Sequence, residues 1–257
     1  TNHYRSSNSI TQLEAAGIHV QHGLLRNASE KLNPGFIKRM TKGLPYLRCK
    51  MAMSLDGRTA LANGVSQWIS NASSRRDVHK LRAASSAILT SIETVLQDDA
   101  GLNPRGLTFD FKQPVRVIID RELKIPAQAK LLTIPGPIII YTQNENKQDI
   151  ETVKNYGADV VTIKESACWL REVLIHLAEF HEINDIMVEA GATFSGALIE
   201  AGLLDELIVY VAPSLMGHHA KPLLNLPQYE TIEAVMTAEP VDIRQFDNDM
   251  RFTYRIH

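Results

Sequence analysis

The densest chemistry in the chain lies in Val188-Glu189-Ala190-Gly191-Ala192-Thr193-Phe194-Ser195-Gly196-Ala197. A β-branched run ends on an acid, a glycine allows a tight turn, and small residues open a helix. The first N–H groups of a helix have no partners within it and sit at the positive end of its dipole, so such a start favours phosphate. Gly191 and Gly196 stand five apart with no Lys following, which is neither the dinucleotide fingerprint nor a P-loop. Spacing supports a phosphate site and a close-packed strand-to-helix turn equally. Glu189 ends the strand, where open α/β sheets place their ligands. It can accept bonds from a substrate, relay a proton, or bond nearby backbone amides.

A second segment, Lys50-Met51-Ala52-Met53-Ser54-Leu55-Asp56-Gly57-Arg58-Thr59, carries Lys50 on a strand into a loop with the turn pair Asp56-Gly57. The loop continues through Gly64 to Ser66-Gln67-Trp68. It suits a ligand cover, or an ordinary connection with Trp68 plugging the core. Third, Arg82 on a helix and Arg105, beyond Thr94, Asp98-Asp99 and Leu102, form either a bidentate clamp for an anion or an ion network with the two aspartates. Residue types alone favour the network. His218-His219 lacks a third ligand at metal-binding spacing, and no Gly-x-Ser-x-Gly elbow marks a nucleophilic hydrolase.

What must hold these groups is an alternation of short β-branched runs with longer helical patterns, the signature of an α/β fold with a covered sheet. Strands are expected at 46–53, 87–90, 115–120, 137–142, 159–163, 185–190 and 207–215. A closing pair at 242–246 and 250–256, around Asp247-Asn248-Asp249, reads as an antiparallel hairpin, so the sheet is mixed. Asn71 caps a helix through Val78, Leu81 and Ala84, with Arg75, Arg76, Asp77 and Lys80 on its wet side. The stretch 167–181 repeats apolar residues at Leu170, Val173, Leu174, Leu177 and Phe180, one buried helical face. A third helix opens at Gly191 and ends at Gly202.

Composition narrows the function classes. The 257 residues are 44% hydrophobic and 22% charged, which is the balance of a folded chain. Lys and Arg number 27 against 29 Asp and Glu, leaving no electrostatic footprint for nucleic acid. No stretch reaches the ~18 consecutive apolar residues of a membrane helix. Cys49 and Cys168 cannot form a zinc knuckle or a disulfide framework and read as reduced, buried thiols of a cytoplasmic protein. Residues 1–7 lack a signal peptide's apolar core and an initiator Met, so a processed or truncated chain is expected. Residues 1–45, with a helix end at 10–16, a short strand Ile18-His19-Val20 and a linker helix at 32–42, read as the remnant of a preceding domain. Residues 46–257 form the main domain.

Together these segments resemble the reductase domain of the bifunctional riboflavin biosynthesis deaminase-reductase. The resemblance runs through the Lys50–Thr59 segment to Ala60, Gly64-Val65-Ser66-Gln67-Trp68-Ile69, Asp77-Val78-His79-Lys80-Leu81-Arg82-Ala83 and Leu89-Thr90-Ser91. It continues in Thr94-Val95-Leu96-Gln97-Asp98-Asp99, Leu102, Arg105 and Val117-Ile118-Ile119-Asp120. The 189–201 block and Asp205-Glu206-Leu207 through Ala212-Pro213 complete it, in order from Pro45 to the C-terminus. Residues 17–36 resemble the last strand and linker helix of the family's deaminase domain. That domain's zinc site needs a His-Ala-Glu and a Pro-Cys…Cys segment. Neither occurs here, which implies no deaminase activity for this chain.

The resemblance implies a dihydrofolate-reductase-like three-layer α/β fold whose central mixed sheet ends in an antiparallel C-terminal hairpin. It implies NADPH-dependent reduction of the ribosyl group of 5-amino-6-(5-phosphoribosylamino)uracil to ribityl, with no metal. Nicotinamide delivers hydride to the C1′=N imine of the ring-opened sugar. Position by position, Ala52, Trp68, Thr94, Asp98 and the turn Gly191, Ala192, Thr193, Phe194, Ser195, Gly196, Ala197 match cofactor contacts. Arg121 would reach an adenosine 2′-phosphate. Ser66, Arg82, Leu102, Arg105 and Glu189 match substrate contacts, the arginines suiting its phosphate. Lys50 and Glu189 flank the imine, and one of them donates or relays the proton. A homodimer is implied, with the apolar 203–216 segment as a subunit edge. Two rival readings are another NADPH reductase of a heterocycle on the same fold, and a non-catalytic ligand-binding relative.

Overall fold

The computed structural model describes residues 7–256. The signal-peptide reading of the first residues falls on residues 1–6 and Ser7, so all but its last position lies outside the described residues. Three helices, α1 (Ser7–Ala15), α2 (Arg26–Leu32) and α3 (Pro34–Lys42), lead into the sheet domain. Its first half runs β1 (Tyr46–Ser54), β2 (Arg58–Ala60), α4 (Ala72–Ala84), β3 (Ala87–Ser91), α5 (Ile92–Asp98), β4 (Val115–Ile119), α6 (Lys130–Thr133) and β5 (Ile138–Thr142). Its second half runs α7 (Lys147–Lys154), β6 (Asp159–Thr162), α8 (Trp169–Phe180), β7 (Asp185–Val188), α9 (Ala192–Glu200), β8 (Glu206–Ala212), β9 (Lys221–Pro222), β10 (Ala238–Phe246) and β11 (Asp249–Ile256).

Nine strands form one sheet in the order β10-β11-β8-β1-β7-β3-β4-β5-β6. From β8 to β6 all neighbours are parallel, whereas β11 and β10 pair antiparallel. Parallel strands covered on both faces read as unbroken apolar runs, and β5 (Ile-Ile-Ile-Tyr-Thr) is buried at every position. On one face β1, β3, β4 and β5 pack Leu47, Leu89, Val117 and Ile139 against Trp169, Val173 and Leu177 of α8 and Leu198 and Ile199 of α9. On the other, Ile118 and Ile140 meet Ile92 and Val95 of α5 and Val153 of α7, while Met187, Ile208 and Tyr210 meet Val78 of α4. Helix, sheet and helix make three layers. The free edge of β10 carries Pro240 beside a register shift and exposes Val241 and Ile243 among polar residues.

Several expectations need correction. Ile18-His19-Val20 forms no strand. The linker helix expected at 32–42 is α3, which starts two residues later at Pro34 because Asn33 before it takes a non-helical φ of −133°; Leu32 ends a separate helix, α2. The segment expected as a subunit edge contains β8, which is paired on both sides by β1 and β11. Cys168 is exposed, and only Cys49 of the pair is buried. Phe180 is 70% exposed; Trp169 is buried on α8 in its stead. Asp77 turns inward, accepting hydrogen bonds from Tyr210 Oη at 2.6 Å and Arg251 at 2.7 Å.

Helix α3 is fastened to the sheet domain. Lys38 donates to Asp205 at 2.6 Å, Arg39 donates to Asn184 at 2.7 Å, and the buried Gly35 lies so close to the Asn184 carbonyl that an added Cβ would sit 2.7 Å from it. By contrast α2 buries no residue.

Candidate active site

A cavity of about 1170 Å³ opens at the carboxyl ends of the parallel strands. The register explains which side chains enter it. Cys49 pairs with Val188 across β1 and β7, so the next rung sets Lys50 beside Glu189, on the face opposite Cys49 and Val188. Glu189 is locked in place by its N–H to Leu89 O at 2.9 Å and by Thr90 Oγ1 donating to its carbonyl at 2.6 Å. Helix α4, started by Asn71 accepting from the Ser74 N–H at 2.9 Å, carries Arg82 over the same rung.

Arg82 donates to Glu189 through Nε at 2.5 Å and Nη2 at 2.8 Å, a fork-to-fork pair. The arginine therefore meets neither Asp98 nor Asp99, and the ion network considered from sequence does not form. Asp99 instead accepts the Lys130 N–H at 2.8 Å, and Asp98 is exposed. Burial alone would push the Glu189 carboxyl up, but the Arg82 charge and hydrogen bonds, with Lys50 and His79 beyond, hold it below the carboxylate range. The Lys50 pKa is lowered too, but mainly by burial; Arg82 adds to the fall, while Glu189 opposes. The Lys50 ammonium lies 5.9 Å from the centre of the Tyr210 ring.

The opposite wall is the start of α9. Gly191 is its N-cap, and no side chain caps the helix. The turn does not need glycine for its dihedrals, since φ is −72°, but a Cβ there would meet nothing within 4 Å. The helix start is thus open, and Ala192, Thr193, Phe194 and Ala197 line the cavity with it. Ser195 and Gly196 do not. Ser195 is fully buried against Cys49, and a Cβ on Gly196 would fall 2.0 Å from the Asn225 carbonyl. Those two positions belong to packing.

The remaining residues matched to cofactor or substrate contacts border the same cavity: Ala52, Ser66, Trp68, Thr94, Asp98, Leu102, Arg105 and Arg121. Trp68 does not plug the core but stands 66% exposed, with the Arg75 guanidinium 4.5 Å over its ring. Arg121 lies 5.0 Å from the Trp169 ring. Sequence reasoning missed His79, one turn before Arg82 on α4, and Asn225, whose side chain donates to Thr193 Oγ1 at 2.9 Å. The i, i+3 spacing to Arg82 was a usable signal for His79; nothing near Asn225 announced it. His218 and His219 have ring centroids 3.7 Å apart, and among the described residues no cluster of three or more His, Cys, Asp or Glu is placed to hold a metal.

Sheet, cleft and neighbouring charges define a reductase domain of the dihydrofolate-reductase-like kind. The chain belongs to the RibD C-terminal domain family, whose profile matches residues 45–252. The riboflavin biosynthesis protein RibD of Haemophilus influenzae is 38% identical over 256 residues, covering 95% of this chain and 68% of that protein. The Escherichia coli protein of the same name is 40% identical over 253 residues, with 94% and 68% covered. Acinetobacter baumannii RibD superposes with a TM-score of 0.87 at 36% identity, covering 97% of this chain and 68% of that one. The Saccharomyces riboflavin biosynthesis reductase Rib7 shares the fold at a TM-score of 0.64 and 19% identity, with 89% and 99% covered.

Proposed function

We propose that this chain reduces the ribosyl group of 5-amino-6-(5-phosphoribosylamino)uracil to ribityl with NADPH. The observation that carries the reading is the convergence of Lys50 and the Arg82–Glu189 pair with an uncapped, open helix start in one cavity. That helix start fits the phosphates of a dinucleotide, and the empty space above Gly191 fits their close approach. When bound, reduced nicotinamide supplies a hydride.

The chain's own groups then divide the work. Glu189, held ionised by Arg82, favours a cationic imine and is a poor proton donor. Lys50, with its depressed pKa, gives up a proton more readily than an ordinary lysine, so we assign it the proton delivered at the imine nitrogen or ring oxygen. Arg82 spends three N–H groups on Glu189 and the Asn103 carbonyl, so Arg105, exposed and without an ion pair among the described residues, takes the larger share of the substrate phosphate. Arg121, with Lys124 beside the cavity, serves a 2′-phosphate. The reading includes a cytoplasmic homodimer. With β8 paired on both sides, the unpaired edge of β10, where Val241 and Ile243 are exposed, is the edge it offers.

NADPH oxidation followed with the ribosylaminouracil substrate tests this. Turnover dependent on that substrate is the expected result. NADPH binding without turnover would sink the reading in favour of a non-catalytic relative, and turnover only with an unphosphorylated heterocycle would favour a different reductase.

A further inference from the structure

A tryptophan that lines a cavity and stands 66% exposed has little packing to fix its ring, and Trp68 is in that position. It lies in residues 66–70, a stretch with neither helix nor strand. Among the described residues, one hydrogen bond ties this stretch to the rest of the protein: the Ser70 carbonyl accepts from Arg75 Nη1. The same Arg75 guanidinium lies over the Trp68 ring, 4.5 Å from its centre. One side chain therefore holds the stretch twice, by its backbone and by its indole. Arg75 also lines the cavity and makes no ion pair among the described residues, so its charge is turned on the ring face. The base of Arg75 is fixed. It stands in the first turn of α4, where the Asn71 N–H donates to Asp249 at 2.8 Å and Ser74 Oγ donates to the same carboxylate at 2.7 Å. Asn71 Nδ2 adds a bond to the Phe246 carbonyl at 2.6 Å, so the helix start is fastened to the β10–β11 turn. With one face of the indole under a guanidinium, a flat ligand group has the opposite face to stack on.

We propose that Arg75 is a positioning residue for the cofactor: it holds Trp68 as a wall of the cavity, and NADPH binds against the ring face that Arg75 leaves free. The inference rests on the proposed function for the identity of that ligand alone. The hold on Trp68 is a property of the free protein.

Three measurements on the full chain test it, using R75A, R75K, W68A and the R75A/W68A double variant. Acrylamide quenching is read on the ligand-free chain, with the emission of W68A, which keeps only the buried Trp169, subtracted. Quenching of Trp68 should rise about twofold in R75A, as the second face of the ring is uncovered. NADPH affinity is then measured by equilibrium titration without substrate. R75A should weaken it about tenfold, the joint effect of one exposed cation–π contact and one hydrogen bond. R75K, which keeps a charge and a donor but loses the flat fork, should weaken it less. The double variant should bind NADPH no more weakly than W68A, because Arg75 acts through Trp68. In steady-state turnover, R75A should raise KM for NADPH and leave kcat and the substrate KM unchanged. Unchanged quenching in R75A overturns the proposal. So does a further loss of NADPH affinity in the double variant, which marks a direct contact between Arg75 and the ligand. A rise in substrate KM with NADPH affinity unchanged overturns it as well, because the ring then faces the substrate. A wild-type chain that binds no NADPH overturns this inference and the proposed function together, whereas NADPH binding without turnover overturns the substrate assignment alone.

Discussion

The α9 wall of the cavity works with backbone. Its first N–H groups carry no side-chain cap, its side chains apart from Phe194 are small, and every position from Gly191 to Ala197 follows the last in the chain. The α4 wall works with charges. Arg82 and Glu189 meet across 107 residues of sequence, and Lys50 joins them from a third element. The first wall draws its specificity from what is missing, a side chain above Gly191 and a cap on the helix. The second draws it from charged partners, the Glu189 carboxyl held down by Arg82 and the Arg82 guanidinium held up by Glu189. A backbone site tolerates changes that leave the turn open; an ion pair with little exposure fails when either partner is lost, because the survivor is left uncompensated.

The largest effect should therefore fall on the charged wall. Glu189→Gln keeps shape but removes the partner of Arg82, and turnover should fall about 10²-fold with NADPH binding retained. Lys50→Met should lower turnover by about the same factor. If Lys50 is the acid, the wild-type rate should decline at a pH below the ordinary lysine value of 10.5, since burial lowers its pKa, and that decline should vanish in Lys50→Met. Full activity in both variants would remove the proton assignment.

Within the backbone wall, the two glycines should separate cleanly. Gly196→Ala forces a Cβ to within 2.0 Å of the Asn225 carbonyl, and should cost about 1–3 kcal/mol of stability in denaturant unfolding. Gly191→Val projects into open space, so stability should hold while NADPH affinity drops about tenfold, which is about 1.4 kcal/mol of lost binding. Equal effects at the two positions would show that α9 is a packing device throughout.

A smaller effect concerns pH. His79 is lowered from 6.5 to about 4, so the unfolded chain binds more protons than the native one between those values. Stability should accordingly rise with pH across that window and fall on acidification, and His79→Gln should flatten this part of the profile. A profile identical in the two proteins would mean the ring is already wet.

The contrast between the walls also explains what the sequence revealed. The parallel strands were legible because burial on both faces leaves unbroken β-branched runs, as in β5. The α9 turn was legible because its parts are consecutive. The Arg82–Glu189 pair was not, since no spacing rule connects residues that meet only through the β1–β7–β3 register, and the nearby aspartates offered a closer partner in sequence. Asp77 was read as solvated from its charged neighbours Arg75, Arg76 and Lys80. Its partners Tyr210 and Arg251 arrive from strands more than 130 positions away. Short β2 and β9 carried too few residues for a pattern.

The attachment of α3 sets where this unit can be cut and moved. Asp205 is pushed up by burial and held down by Lys38, and its carboxylate also accepts the Leu47 N–H at 2.7 Å. A graft beginning at Tyr46, where the sheet begins, would leave that carboxylate and the Asn184 side chain without the partners α3 provides. One beginning at Pro34 would keep them. A cut at the Asn33–Pro34 joint therefore carries the Lys38–Asp205 and Arg39–Asn184 contacts along with the sheet.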